Sequence, residues 1–152
     1  MPELPQVPGA YVLIVDLDRP LQLTLPGKTG AVLEAGRYAY CGSAHGPGGI
    51  RARVLRHLRR DKRPHWHIDY LTNAGRNVGV QALPNGRECA LLDRILAVDG
   101  VTVPVPGFGS TDCRRCPAHL VRLPGQTDAA DMARWLSESP QRRDICEATR
   151  AA

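Results

Sequence analysis

No part of this sequence approaches the ~18 consecutive apolar residues of a membrane-spanning helix. The N-terminus also lacks a basic flank followed by a long apolar run, the pattern of a secretory signal. These two absences predict a cytoplasmic protein without a membrane partner. A disulfide framework is equally unexpected, because the five cysteines are an odd number and Cys41 and Cys89 lie within apolar runs, where small buried thiols are common.

Negative charge is almost missing from residues 50–63. This segment holds seven cations and one anion, Asp61, for a net charge of +6, whereas the whole chain carries +5. The cations are Arg51, Arg53, Arg56, Arg59, Arg60, Lys62 and Arg63. Charge this localised indicates an anion-binding surface, and a nucleic-acid backbone is the first anion to consider.

The hydrophobic pattern predicts an α/β fold with a small central antiparallel sheet flanked by helices. Runs rich in β-formers at 11–17 and 21–25 predict a hairpin, and short strands follow at 31–33, 37–41, 78–83 and 119–123. From Ile50 the apolar residues recur every four positions, which is typical of an amphipathic helix. Further helices are predicted at 66–75, 87–98 and 128–136. We expect one domain over 1–125 and a helical tail over 126–152.

Short motifs stand in a recognisable order along this pattern. Gly9-Ala10-Tyr11 opens the first strand, Tyr40-Cys41-Gly42 ends a later one, and Arg53 and Glu88 lie in two downstream helices. In these residues the chain resembles the GIY-YIG nuclease superfamily. The longer strings GSAHGPGGIRARVLRH, HWHIDYL and GFGSTDCRRC are similar to a branch of unknown function whose segments are found joined to helix-hairpin-helix DNA glycosylases. The resemblance covers about residues 9–123.

The resemblance implies a metal-dependent endonuclease that hydrolyses phosphodiester bonds in DNA during repair or processing, with a DNA repair glycosylase as a partner. Glu88 matches the metal ligand, and Mg²⁺ or Mn²⁺ suits an oxygen-rich site better than zinc does. Arg53 matches the arginine that stabilises charge on the phosphate. Tyr11 and Tyr40 match tyrosines proposed to orient or deprotonate water, and we expect the metal and Arg53 to lower their pKa values.

Helix phase adds His57 to these catalytic candidates. It places Arg53, His57 and Arg60 on one ridge along the edge of the core, while Arg56 and Arg59 are expected to face water or flanking phosphates. The predicted nucleic-acid-binding set is Ser43, Gly48, Gly49, Arg56, Arg59, Arg60, Arg63, His65 and His67.

Two departures from the compact members of the superfamily bear on activity. Tyr11 and Tyr40 are 29 positions apart, so an extra hairpin must be accommodated, and we expect the tyrosines still to meet across the sheet. Ser43 stands where compact relatives often have lysine. The following glycines, including Gly48 and Gly49, are expected to compensate by presenting backbone N–H groups at a helix N-terminus.

The alternative to an active endonuclease is a nucleic-acid-binding or docking module that has lost hydrolysis.

The segment from His65 to Asp69 has two interpretations. In the first, one of the histidines, His65 or His67, holds or protonates a phosphate oxygen. In the second, His65 and Asp69 form an i,i+4 pair on a helix whose Trp66 lies in the core.

Cys113, Cys116 and His119 form a further candidate site. The C-x2-C spacing supplies half of a tetrahedral zinc site and His119 a third ligand, with Cys146 and His45 as loose candidates for a fourth. Asp112 is a reserve carboxylate for the divalent ion. A thiol redox pair favoured by the adjacent arginines, or two thiols packed in a rigid turn, are the alternatives.

Overall fold

The computed structural model describes residues 4–23, 30–109, 115–125 and 127–137. The main sheet consists of β1 (Gly9–Leu17), β4 (Gly36–Ala44), β5 (Arg76–Pro84) and β6 (Leu120–Arg122), in the antiparallel order β5-β1-β4-β6. A separate two-stranded sheet joins β2 (Leu21–Gln22) to β3 (Val32–Leu33). The helices are α1 (Gly49–Leu58), α2 (His67–Ala74), α3 (Glu88–Leu96) and α4 (Ala129–Ser137). The predicted α/β class is confirmed.

The central strand β1 is buried on both faces, because its side chains alternate between two cores. Tyr11 and Leu13 belong to one core, which α1 and α2 cover with residues such as Ile50 and Ile68. Ala10, Val12 and Ile14, on the opposite face, belong to the second core. Helices α3 and α4 cover this core with Leu91, Leu92, Ile95, Met132 and Leu136. The sheet is therefore the middle of three layers, and α4, from the predicted tail, packs into the second core.

Helix α1 buries a polar residue at the position where its apolar stripe would continue. Ile50, Val54 and His57 are buried, at an i, i+4, i+7 spacing, whereas Leu55 is 42% exposed. Because α1 ends at Leu58, Arg60 lies beyond the helix and the predicted ridge stops at His57.

The extra hairpin between the two tyrosine motifs does not interrupt the main sheet. Tyr11 pairs with Gly42 and Tyr40 pairs with Leu13, so both tyrosines project from the same face of neighbouring strands. Their ring centroids are 6.5 Å apart. This confirms the expectation that the tyrosines meet across the sheet. The predicted hairpin of 11–17 with 21–25 is wrong, because β1 pairs with β4 and β5 while β2 pairs with β3. Residues 24–29 fall outside the described ranges.

Within the described ranges, no helix is long and apolar enough to cross a bilayer.

Candidate functional site

A pocket of about 230 Å³ opens at the end of the sheet where β1 begins and β4 ends. Its lining includes all five residues predicted to be catalytic, namely Tyr11, Tyr40, Arg53, His57 and Glu88. The remaining lining residues are Gly42, Ser43, Trp66, Gly109 and His119. The motifs therefore converge although they come from β1, β4, α1 and α3.

Tyr11 and His57 form the central contact of the pocket. The Tyr11 hydroxyl lies 2.7 Å from Nε2 of His57, and both side chains are buried. The Tyr11 ring passes directly over Gly42, where an added Cβ would lie 2.4 Å from the phenol oxygen. The glycine of the second motif is thus required by this close approach.

Behind His57 lies a fully buried carboxylate, Asp69. His57 Nδ1 faces Asp69 Oδ1 at 3.8 Å, which is longer than a hydrogen bond. Arg56 donates to both Asp69 oxygens at 2.9 Å, and the backbone N–H groups of His65 and Trp66 donate to Oδ2. We assign the Nδ1–H tautomer to His57, since Nδ1 faces an anion and Nε2 is left to accept from Tyr11.

The pKa values of His57 and Asp69 follow from their burial and from these contacts. Burial lowers the pKa of His57, although Asp69 opposes the shift, so the imidazole is neutral at neutral pH. Burial would raise the pKa of Asp69, but the facing His57, the Arg56 guanidinium and the two backbone N–H groups lower it far below its usual range. The site therefore holds a neutral histidine next to a permanent carboxylate.

The lowering of the tyrosine pKa values by a bound metal ion together with Arg53 stays a prediction, because the residues of the protein alone do not produce it. Burial raises the pKa of both Tyr11 and Tyr40 well above the ordinary value. The positive charge of Arg53 opposes the shift at each tyrosine without overcoming it. A proton can leave Tyr11 at neutral pH only if another group receives it, and His57 Nε2 is placed to do so.

Trp66 joins the two arginines of the site. The guanidinium groups of Arg53 and Arg56 lie 4.5 and 4.3 Å from the centroid of its ring. Arg53 also donates to the Ser43 carbonyl at 3.2 Å, and its side chain lines the pocket. The prediction that Arg56 faces water or phosphates is wrong, because its guanidinium is paired in bidentate fashion with Asp69.

Gly48 and Gly49 do not offer an open anion cradle. Both have positive φ angles, of 82° and 60°, and a Cβ on Gly49 would lie 2.3 Å from the Val7 carbonyl oxygen. The amides at the start of α1 are already used, since those of Gly49, Ile50 and Arg51 donate to the carbonyls of Gly46, Val7 and Pro5. These glycines allow the N-terminal segment to pack against α1. The prediction that their backbone N–H groups form an anion cradle is therefore wrong.

Beyond the end of α1, basic residues surround a shallow cavity of about 360 Å³ lined by Arg56, Arg59, Arg60, Asp61, Lys62 and Arg63. Arg60 donates to the Gly75 carbonyl, and Lys62 donates to the carbonyls of His57 and Arg59 and to the Asn73 side chain. Arg59 and Arg63 are exposed. Arg59 and Arg63 are therefore the members of the predicted binding set best placed to meet a large anion.

The two histidines beside Trp66 have different surroundings. His65 precedes α2, so the predicted i,i+4 helix pair is replaced by a bond from its backbone N–H to Asp69. Its exposed ring makes an edge-to-face contact with Trp66, with the ring centroids 4.8 Å apart. His67 Nδ1 accepts from the Gly109 amide at 2.9 Å and its ring lies against Phe108. His67 thereby holds the loop that forms one wall of the pocket.

A second cluster adjoins the pocket through His119. The ligand atoms of Cys89, Cys116 and His119 all lie within 4.8 Å of one another, a group that could hold a metal ion. Cys113, Asp112 and Cys146 lie outside the described residues, and the exposed His45 is not in the group. The sequence pattern predicted Cys116 and His119 as metal ligands but treated Cys89 as a buried thiol. The position of Cys89 directly after Glu88 was the signal that could have placed it near the pocket.

The fold and the pocket define a small three-layered α/β domain whose polar site lies at one end of the sheet. By sequence, the chain belongs to the family described as the domain of unknown function DUF123, which matches residues 10–140 and so includes every residue of the pocket lining. A search of curated proteins and a search of solved structures each returned no match.

Proposed function

We propose that this chain is a cytoplasmic, metal-dependent endonuclease of the GIY-YIG kind, hydrolysing phosphodiester bonds in DNA during repair or processing. The observation that carries the proposal is the convergence of Tyr11, Tyr40, Arg53, His57 and Glu88 in one pocket. Arg56 and Trp66 connect this pocket to the basic surface beyond α1, which supplies the charge for a DNA backbone.

Glu88 fits Mg²⁺ or Mn²⁺ as a single carboxylate in a polar pocket. It is the one carboxylate lining the pocket among the residues that the structure describes. Mg²⁺ commonly binds proteins through one or two carboxylates together with substrate phosphates and waters. When bound, the ion supplies Lewis-acid polarisation of a phosphate oxygen. The thiolates of the second cluster are unsuited to this role, because magnesium prefers oxygen ligands.

Arg53 holds the phosphate in this proposal. Its guanidinium is oriented by the Trp66 ring and by the Ser43 carbonyl, and it reaches the same pocket as Glu88. A planar, permanently charged fork matches phosphate oxygens and stabilises the charge that develops on them. Arg53 therefore contributes to binding and to the rate.

Tyr11 and His57 move the proton of the attacking water. As the water O–H bond breaks, its proton passes to the Tyr11 oxygen, while the phenol proton passes to His57 Nε2 over the 2.7 Å contact. The water oxygen forms the new P–O bond, and the departing oxygen leaves the phosphorus with the electron pair of the broken P–O bond and takes a proton from solvent. Asp69 stabilises the imidazolium that forms, from 3.8 Å on the other side of the ring. Tyr40, beside them, orients the water.

The test compares two glutamate substitutions on plasmid, single-stranded and branched DNA with Mg²⁺, Mn²⁺ or EDTA. Glu88→Gln removes the metal-binding charge, so cleavage should fall by at least about 100-fold while DNA affinity stays equal or rises. Glu34→Gln, an exposed glutamate outside the pocket, is the matched control and should cleave like the wild type. Equal cleavage by Glu88→Gln and the wild type would overturn the assignment.

A non-catalytic DNA-binding or docking module for a repair enzyme, such as a glycosylase, is the second candidate. Two observations favour it: burial raises the pKa of both pocket tyrosines, and Ser43 supplies no cation to the pocket. This candidate predicts salt-sensitive DNA binding by the wild type with no cleavage under any divalent ion. The same assay therefore decides between the two functions.

A further inference from the structure

We propose that Cys89, Cys116 and His119 bind one Zn²⁺ ion that anchors the N-terminal end of α3 to the sheet. Zinc binding by these residues does not depend on the nuclease proposal, and no DNA is needed to test it. The site differs from the one that the C-x2-C spacing suggests, because its second thiolate comes from α3, 27 positions before Cys116.

The geometry is close to that of a bound ion. Zinc takes thiolate sulfur at about 2.3 Å and imidazole nitrogen at about 2.0 Å, so a tetrahedral site places sulfur and nitrogen roughly 3.5 Å apart. Cys89 Sγ lies 3.9 Å from His119 Nε2, and no two of the three ligand atoms are more than 4.8 Å apart. Small side-chain rotations would bring all three within coordination distance.

The donor set selects zinc among the common biological divalent ions. Two thiolates and one imidazole are soft and borderline ligands, which favour zinc over magnesium, calcium or manganese. Cys116 and His119 are buried and Cys89 is partly buried, so the ion would be shielded while solvent can fill the fourth position.

The backbone holds His119 in place, whereas the N-cap of α3 has no side-chain hydrogen bond. His119 is fixed on both sides, since its N–H donates to the Phe108 carbonyl and its carbonyl accepts from the Cys41 amide. Helix α3 has no side-chain hydrogen bond at its N-cap, Arg87. An ion on Cys89 would attach the first turn of α3 to the strand entering the sheet, next to the Arg115–Asp93 ion pair that joins the same two segments.

The anchor has a consequence for Glu88, and this step rests on the proposed function. Glu88 immediately precedes Cys89, and His119 lines the same pocket as Glu88. Fixing Cys89 therefore fixes the backbone that carries the pocket carboxylate. Zinc removal should lower nuclease activity through Glu88, whereas failure of nuclease activity alone leaves the zinc measurement unaffected.

The first experiment uses the unmodified chain. Metal-free protein is titrated with Zn²⁺ and, separately, with Co²⁺, and thiols are alkylated with and without zinc before mass spectrometry. We expect one equivalent of zinc, a cobalt spectrum with thiolate-to-metal charge-transfer absorption, and zinc protection of Cys89 and Cys116 from alkylation. Absence of zinc binding, or protection of Cys113 and Cys116 without Cys89, would overturn the proposal.

The second experiment uses cysteine variants. Cys89→Ser should weaken zinc binding by at least about 100-fold, the share of one ligand in the binding free energy of a zinc site. Cys41→Ala is the matched control, since Cys41 is also a buried thiol but is not in the ligand group, and it should bind zinc like the wild type. Zinc should raise the melting temperature of the wild type and of Cys41→Ala but not of Cys89→Ser. Equal zinc affinity in Cys89→Ser and the wild type would contradict the assignment.

Discussion

The hydroxyl of Tyr11 lies 2.7 Å from Nε2 of His57, and this contact joins the first strand to the first helix at the centre of the pocket. Burial makes the phenol a weaker acid and the imidazole a weaker base than in water. Each group alone is therefore poorly suited to proton chemistry. Paired in this way, with Asp69 behind the imidazole, they can pass a proton in one concerted step.

Tyr11→Phe should separate catalysis from binding. The change removes the proton path but keeps the ring that packs over Gly42, so cleavage should fall by about 100-fold or more while DNA affinity is unchanged. Tyr38→Phe is the matched control, because Tyr38 is equally buried and donates one hydrogen bond, to the Glu34 carbonyl, away from the pocket. Single-turnover cleavage and fluorescence anisotropy measure the two quantities. Similar rates for Tyr11→Phe and Tyr38→Phe would contradict the proton path.

Asp69→Ala should be strongly destabilising. It leaves Arg56 and two backbone N–H groups without their buried acceptor, and breaking a buried ion pair costs about 3–5 kcal/mol in the free energy of unfolding. Asp131→Ala is the control: its partner Arg134 is 66% exposed, and such surface pairs contribute less than about 1 kcal/mol. Urea unfolding followed by circular dichroism provides both values. A loss for Asp69→Ala no larger than that of the control would show that the buried pair is not a stabilising element.

Stability should fall with decreasing pH in two stages. Burial lowers the pKa of His57 and of His119 in the folded state, so below about pH 6.5 the unfolded chain takes up protons that the folded chain does not. Asp69, whose folded-state pKa is lowered by Arg56, His57 and backbone N–H groups, adds a second decline below about pH 4. Urea unfolding in EDTA from pH 8 to pH 3 measures both stages.

The matched variants for this pH dependence are His57→Gln and His45→Gln. His57→Gln should reduce the first decline, whereas His45→Gln, at an exposed position, should keep it. A free energy of unfolding that stays constant between pH 7 and pH 5.5 in the wild type would refute the neutral state assigned to His57.

Gly42→Ala should disturb the pocket through Tyr11. The new Cβ would lie 2.4 Å from the Tyr11 ring, so the ring or the strand must move, at a cost of about 1–3 kcal/mol. Gly46→Ala is the matched control, because nothing lies within 4 Å of a Cβ built there. Thermal unfolding should show a lower melting temperature only for Gly42→Ala, and cleavage should fall with it. Equal melting temperatures for both variants would mean that Tyr11 does not need this close approach.

The sequence predicted the fold class from local signals, whereas five of the pocket residues were expected from the resemblance and from helix phase. Alternating and four-residue periodicities mark the elements, and the motif order brings Tyr11, Tyr40 and Glu88 toward one end of the sheet. The ion pair between Arg56 and Asp69 was not predicted, because helix phase places Arg56 away from the core. Its acceptor, Asp69, is supplied only by the packing of α2 beside α1. The position of Cys89 in the possible metal-ligand group was also not predicted, because the other two ligands lie about 30 residues away in the sequence.

The structure divides the basic residues near the end of α1 into paired and exposed groups, and this division predicts how the proposed DNA binding should depend on salt. Arg59→Ala should reduce the slope of log affinity against log salt by about one unit, because Arg59 is exposed at the basic cavity and each phosphate contact contributes roughly 0.9 to that slope. Arg56→Lys is the comparison: its charge is kept and is already paired with Asp69, so the slope should hardly change even though the bidentate pair is lost. Anisotropy titrations between low and moderate salt measure both slopes. An affinity independent of salt, or an equal loss of slope in the two variants, would refute the electrostatic interface at this surface.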